Sequence, residues 1–224
     1  MQVGVGIRYN GSMTKGLVSM EEEESPGREI FIMRHGNTAL NSKNEIRGWS
    51  NPPLDELGIE EAHNLGEAML NDEIEADGIV SSDLMRSVQT CVIVSKITGI
   101  PLVGISKDFR PLDVGELTGT DADKAHKVIA EFAKNHPDDK IGTTGESFNV
   151  FKTRFLGGVV SLLNSNRGKR LIICSHSRGE RILHAFIAEG CPDTFDVSLE
   201  TFLAPGEDPA TITQLFINSN LVLP

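Results

Sequence analysis

The sequence predicts an α/β fold, a three-layer sandwich with a mostly parallel sheet and helices on both faces. Three observations carry that expectation. Short strand-like runs recur along the chain, Ile30–Met33, Gly78–Ser81, Leu102–Ile105 and Arg170–Cys174, and the first, apolar throughout, reads as a strand buried on both sides. Between them lie segments with apolar residues spaced three and four apart, the period of a helix with one buried face. Strand and helix therefore alternate, which is the pattern of a doubly covered parallel sheet.

The elements follow in order. Val3, Val5 and Ile7 alternate with small or polar residues before Asn10-Gly11. Asn-Gly favours a two-residue hairpin turn because both positions take positive φ, so residues 2–9 and 12–19 are expected to pair. Glu21–Glu24, followed by Ser-Pro-Gly, reads as a solvated linker. Residues 1–27 are thus an N-terminal extension, and 28–224 form the main domain. Asp55 caps a helix that buries Ile59, Ala62, Leu65 and Met69. Helices are also expected over Leu84–Ile97, Asp121–Lys134, Glu146–Leu163 and Gly179–Ala188, the third of these carrying Phe148, Phe151, Phe155, Val159 and Leu162 in one stripe. Two last strands are expected at Val197–Leu203 and Thr211–Ile217.

Composition narrows the function. With Lys+Arg 21 against Asp+Glu 32, the net charge is −11. That disfavours a broad nucleic-acid or anionic-membrane surface, though not a small cationic pocket. No apolar stretch is long enough to span a membrane, and no signal peptide opens the chain. Three scattered cysteines, Cys91, Cys174 and Cys191, form no disulfide framework, so a reducing, cytoplasmic compartment is expected.

In open α/β sheets, ligands bind beyond the carboxyl ends of the strands. There this sequence places Arg34-His35-Gly36-Asn37-Thr38, Asp83-Leu84-Met85-Arg86-Ser87 and Ser175-His176-Ser177-Arg178-Gly179. Two histidines and at least two arginines converge on one rim, a pocket for a compact dianion, since guanidinium forks match phosphate oxygens. Thr38 and Asn41 add neutral donors, and the helix beginning near Ser177 adds backbone N–H groups and its positive dipole end. An imidazole held neutral by neighbouring cations can attack phosphorus and carry the phosphoryl group as phosphohistidine.

These segments resemble the histidine phosphatase superfamily, also called phosphoglycerate-mutase-like. The resemblance rests on RHGNT at 34–38, IRGWSNPPLDELG at 46–58, SSDLMRSVQT at 81–90, GES at 145–147 and SHSRG at 175–179. It implies that His35 is the phosphoryl-accepting nucleophile and that Arg34, Arg86 and His176 complete the phosphate pocket. Asn41 and Arg47 correspond to polar groups of the loop over the substrate, and Glu146 and Ser147 to the GES turn. The implied activity is a metal-independent phosphomonoesterase with no cofactor, acting on a small phosphorylated metabolite or a phosphoprotein. The alternatives are a mutase or an idle phospho-ligand-binding domain. The short interval from Asp113 to His176 favours a phosphatase over a mutase.

One position departs from the family pattern. Pro111 stands where a glutamate general acid is usual, which leaves Asp113 as the best substitute and Glu116 as the second. Arg178 reads as a surface charge at a helix start. His63, His126, His136 and His184 lack metal-site spacing and read as structural or exposed. Trp49 either packs beneath the 46–58 loop or stacks on a substrate. Cys174 is a small buried hydrophobe, because the Arg spacing of a cysteine phosphatase is absent.

Overall fold

The computed structural model describes residues 5–6, 8–9, 12–13, 28–190, 194–203 and 209–217. Eight strands are described: β1 (Val5–Gly6), β2 (Arg8–Tyr9), β3 (Ser12–Met13), β4 (Arg28–Arg34), β5 (Gly78–Ser82), β6 (Leu102–Ser106), β7 (Leu171–Ser175) and β8 (Ile212–Ile217). The helices are α1 (Ala39–Ser42), α2 (Glu56–Asn71), α3 (Met85–Thr98), α4 (Ala122–Asn135), α5 (Phe148–Ser165), α6 (Ser177–Ala188) and α7 (Leu199–Leu203).

Among the described residues the main sheet has the order β1-β8-β4-β7-β5-β6. The four strands β4, β7, β5 and β6 run parallel, and β8 runs antiparallel to β4. The sheet divides its side chains as the buried apolar runs require. Ile30 and Ile32 face a core built with α4, α5 and α6, whereas Phe31 and Met33 face a second core with α2 and α3. The three-layer expectation is met. The phenylalanine stripe of α5 lies in the larger core, where Phe151 and Phe155 are fully buried.

Two expectations need correction. Leu199–Leu203, read as part of a strand, is helical, and its Phe202 packs on Phe148 at 4.7 Å between ring centroids. A five-residue segment is too short for periodicity to separate a buried strand from a helical turn. In the extension, β2 pairs with β3 as Tyr9 opposite Ser12, the register an Asn-Gly turn dictates, and β1 adds an edge to β8. The remainder of the expected hairpin, Asn10-Gly11 itself, the Glu21–Glu24 linker and Cys191 lie outside the described residues.

Close backbone approaches fix the loops above the sheet. A Cβ on Gly36 would overlap the Gly58 carbonyl, and one on Gly58 would overlap the Asn37 backbone. The segment after β4 therefore lies directly on the first turn of α2, whose Asp55 cap accepts from Gly58 N–H at 2.8 Å. A Cβ on Gly179 would strike the Phe155 ring, so glycine lets the start of α6 seat on the α5 stripe. No described helix is long and apolar enough to cross a membrane.

Candidate active site

The residues just beyond β4, β5 and β7 meet. The His35 and His176 rings lie edge to face, 4.9 Å between centroids, and both are buried. His35 Nδ1 sits 2.6 Å from the Gly36 carbonyl, an acceptor only, so the ring proton belongs on Nδ1. Nε2 is left with its lone pair, toward which Arg86 Nε donates at 3.2 Å. Arg86 itself is clamped by carbonyls. Its Nη1 donates to Ser50 O at 2.7 Å and its Nη2 to Gly48 O at 3.1 Å. The turn at 47–50 and the guanidinium thus hold each other in place.

His176 Nε2 lies 3.0 Å from the Ser82 hydroxyl, while its buried Nδ1 makes no hydrogen bond. A buried polar atom without a partner is costly, and a ligand that supplies one relieves that cost. Both imidazoles are held well below their ordinary value. Burial is the main cause, followed by Arg86 in each case, with Arg47 and Arg34 adding to it. Both rings are therefore neutral at neutral pH. Burial and neighbouring guanidinium charge also lower the arginines, Arg86 to about 9 and Arg47 to about 10.

A cavity of about 510 Å³ opens above this floor. It is lined by Arg34, Asn41, Arg47, Arg86, His176 and Ser177, and also by Arg178, Arg181 and His126. Asn41 is set by Thr38, whose backbone N–H and hydroxyl both donate to Asn41 Oδ1, at 3.1 and 2.7 Å. That leaves the amide N–H groups of Asn41 for the cavity. Thr38, expected as a ligand, is fully buried and acts instead as the support of Asn41.

Four further expected residues lie elsewhere. Asp113 does not line the cavity; its Oδ1 accepts from Gly115 N–H at 3.0 Å. Pro111 does line it. Aspartate two residues before a glycine bonds its own turn readily, so a carboxylate at this spacing closes a turn. Glu146 is likewise outside the cavity. It accepts from Asp113 N–H at 2.9 Å and from Arg154 Nη2 at 2.6 Å. Ser147 caps α5 through Val150 N–H. The GES turn thus pins the 109–117 segment. Glu116, the second candidate acid, is bonded to Thr143 on the surface and is lowered to about 2 by that contact.

Trp49 packs. Its Nε1 donates to Pro111 O at 2.8 Å, and the Arg110 guanidinium stands 4.7 Å over its ring. Cys174 is buried in β7 and burial pushes its thiol well above the ordinary value, which removes it as a nucleophile. Among the described residues no group of three His, Cys, Asp or Glu side chains is placed to hold a metal ion.

Sequence reasoning missed Arg178, Arg181 and His126 as cavity residues. The first two were accessible from spacing. They stand two and five residues after His176, three apart on α6, and therefore share the face that the helix start presents to the rim. His126 comes from α4, which no local pattern connects to this rim.

A sequence profile of the histidine phosphatase superfamily (branch 1) matches residues 30–201. A metal-independent phosphoserine phosphatase of Arabidopsis thaliana is 28% identical over 170 residues, covering 74% of this chain and 71% of that one. A phosphoglycerate mutase-like protein of the same plant is 27% identical over 168 residues, 73% of each chain. Among solved structures, a mycobacterial glucosyl-3-phosphoglycerate phosphatase superposes with a TM-score of 0.67 at 24% identity, covering 84% of this chain and 92% of that one. A phosphoglycerate mutase from Bacillus anthracis superposes with the same TM-score of 0.67 at 21% identity, covering 90% and 93%. These last two likenesses establish the fold.

Proposed function

The chain belongs to the histidine phosphatase superfamily, and from that premise we propose that it hydrolyses phosphomonoesters by transfer through His35. The observation that carries this reading is the state of the two imidazoles. His35 holds a deprotonated Nε2 against Arg86 Nε, and the neighbouring His176, which lines the cavity, carries an unsatisfied Nδ1. If the Ser82 hydroxyl donates to His176 Nε2, the ring proton stands on Nδ1, where it meets a phosphoryl oxygen.

In the first step Nε2 of His35 forms a bond to phosphorus as the ester oxygen departs. Arg86 gives up its contact with Nε2 and turns its Nε–H onto an equatorial oxygen. Arg34 and Arg47 supply fixed charge for the same oxygens, whose charge is spread over the transferring group. In the second step water attacks phosphorus and His35 leaves, returning inorganic phosphate and the free imidazole. The carbonyl of Gly36 holds the Nδ1 proton throughout, so the ring cannot change tautomer between steps.

Proton delivery to the leaving oxygen sets the substrate order. Pro111 lines the cavity with no proton to give, and Asp113 is bonded to its own turn. Phosphates whose leaving groups depart without a proton, such as aryl phosphates, are therefore turned over faster than alkyl phosphates.

The test is hydrolysis of an aryl phosphate in excess EDTA, wild type against His35→Ala. Turnover in the wild type that disappears in the variant, together with acid-labile phosphate on the wild-type protein during turnover, is the expected result. Equal turnover in both removes His35 as the nucleophile.

A further inference from the structure

A carbonyl, not a carboxylate, holds the ring proton of His35. The Gly36 oxygen that lies 2.6 Å from Nδ1 belongs to the peptide joining residues 36 and 37. The other end of that peptide is the Asn37 N–H, which donates to Glu61 Oε2 at 2.7 Å. A carboxylate and an imidazole thus sit at opposite ends of one peptide group. When an anion accepts from a peptide N–H it polarises the group, and the carbonyl oxygen becomes a stronger acceptor. The negative charge of Glu61 is therefore felt at Nδ1 although the carboxylate does not bond the ring.

The sequence builds this arrangement on α2. Gly58 and Glu61 stand three residues apart and share one face of the helix. Gly58 lets the Asn37 backbone lie on that face, since a side chain there would overlap it. Glu61, one turn on and half-buried, meets the N–H so presented. The adjoining peptide is fixed as well. Gly36 N–H donates to the buried Thr90 hydroxyl at 3.1 Å, and the His35 carbonyl accepts from Ala210 N–H at 3.2 Å. The 36–37 peptide is thereby held in one orientation, its N–H toward Glu61 and its oxygen toward the ring.

The surroundings of His35 otherwise oppose positive charge on it. Burial and then Arg86, Arg47 and Arg34 lower its basicity, and the bond to the Gly36 carbonyl is the influence that raises it. The opposition grows during reaction. Once Nε2 has bonded to phosphorus, a ring that keeps its Nδ1 proton carries a positive charge. A group that offsets a charge appearing only as the bond forms favours the transition state over bound substrate.

We propose that Glu61 is a positioning residue for His35, acting through the 36–37 peptide to hold the Nδ1 proton in place and to offset the charge the ring acquires. This role deepens the phosphatase reading and rests on it. The Nε2 lone pair forms the bond to phosphorus, the ester oxygen leaves with its bonding pair, and no proton passes through the peptide or onto Glu61.

Two readouts test it. The first is single-turnover release of the leaving group from an aryl phosphate, whose saturating rate reports phosphoryl transfer and whose half-saturation reports binding. The second is the His35 Nδ1–H proton resonance of the free protein, identified by its absence in His35→Ala. Glu61→Gln keeps an oxygen acceptor and removes the charge. It is expected to slow the saturating rate about threefold to tenfold, to leave half-saturation within about twofold, and to move the resonance upfield, as a weakened hydrogen bond does. Glu61→Leu removes the acceptor too, and a loss of about 10- to 100-fold is expected, the scale seen when a group behind a reacting ligand is deleted. Glu60→Gln, an exposed charge on the same helix, is expected to change neither readout. In a protein that turns over, either readout equal to wild type in Glu61→Gln would overturn the proposal. Equal changes in Glu60→Gln and Glu61→Gln would overturn it too, because they would show only the general field.

The resonance needs no turnover, which keeps this result separate from the function. An upfield shift confined to the Glu61 variants, with no His35-dependent hydrolysis of any phosphate, upholds the coupling of Glu61 to the ring and removes the phosphatase reading. His35-dependent turnover with both readouts unmoved in Glu61→Gln does the reverse.

Discussion

Two polar regions flank the cavity, and they are built on opposite terms. The histidine rim leaves valences open: Nδ1 of His176, the amide of Asn41 and the guanidiniums of Arg47 and Arg178. The 109–117 segment with its partners leaves few. Arg154 Nη1 donates to the Lys107, Asp108 and Arg110 carbonyls, and its Nη2 to Pro111 O and Glu146. Arg110 forks onto Asp83, with both contacts at 2.6 Å. Both regions are rich in arginine. What separates a site from a scaffold is which hydrogen-bonding groups remain once the backbone has taken its share.

The comparison breaks most sharply at His35. Replacement by Ala is expected to cut phosphate release by at least about 10³-fold, and its melting temperature is expected to fall by no more than a few degrees. A variant that unfolds instead would place His35 with the scaffold. Arg154→Met should behave in the opposite way. Removing one partner of a largely buried pair leaves Glu146 without its cation and the Asp108 and Arg110 carbonyls short of a donor, and denaturant titration should show a loss of about 3 kcal/mol. Its activity should fall only as far as the Pro111 wall shifts.

Acid offers a third test. Both imidazoles are held below 6.5 in the folded state, so below pH 6.5 the unfolded chain binds protons that the folded chain refuses. Stability is therefore complete above pH 6.5 and is lost as pH falls through that value. Thermal melts between pH 7.5 and 5 should show the decline, and His176→Ala should flatten it. A decline that persists unchanged in that variant would assign the protons elsewhere. The smallest effect belongs to Asp113→Asn. The amide oxygen can still accept from Gly115 N–H, so kcat should change by less than about threefold on both aryl and alkyl phosphates. A selective loss on alkyl phosphates would restore Asp113 as the proton donor.

The same distinction explains what the sequence disclosed. Strand ends are legible because a short apolar run followed by a polar motif has one place to go, and His35, Arg86 and His176 were placed together on that ground. The layers followed from the buried runs in the same way. Thr38 is read by residue type, and Asp113 and Glu146 by their place in the family pattern; neither says whether a side chain has already been bonded by a neighbouring N–H. The helical side of the cavity, which carries Arg178, His126 and Phe202, was obscured for another reason. It joins α4, α6 and α7, elements separated by up to about eighty residues of chain, and α7 was itself read as strand. Residues that meet only through tertiary packing leave no local period.

The seating of the Gly36 turn on α2 has a consequence for how the enzyme fails. His35, the proposed nucleophile, hangs from β4, an interior strand bonded to β7 on one side and β8 on the other, and its turn is wedged against α2 with no room for a methyl group. Amides of β4 should be among the last to exchange with solvent, opening only when the whole sheet opens. Heating should then yield no sheet-retaining species that has lost its chemistry. Loss of turnover and loss of the fold should trace one curve, and the working lifetime of the catalyst should equal the lifetime of its central strand.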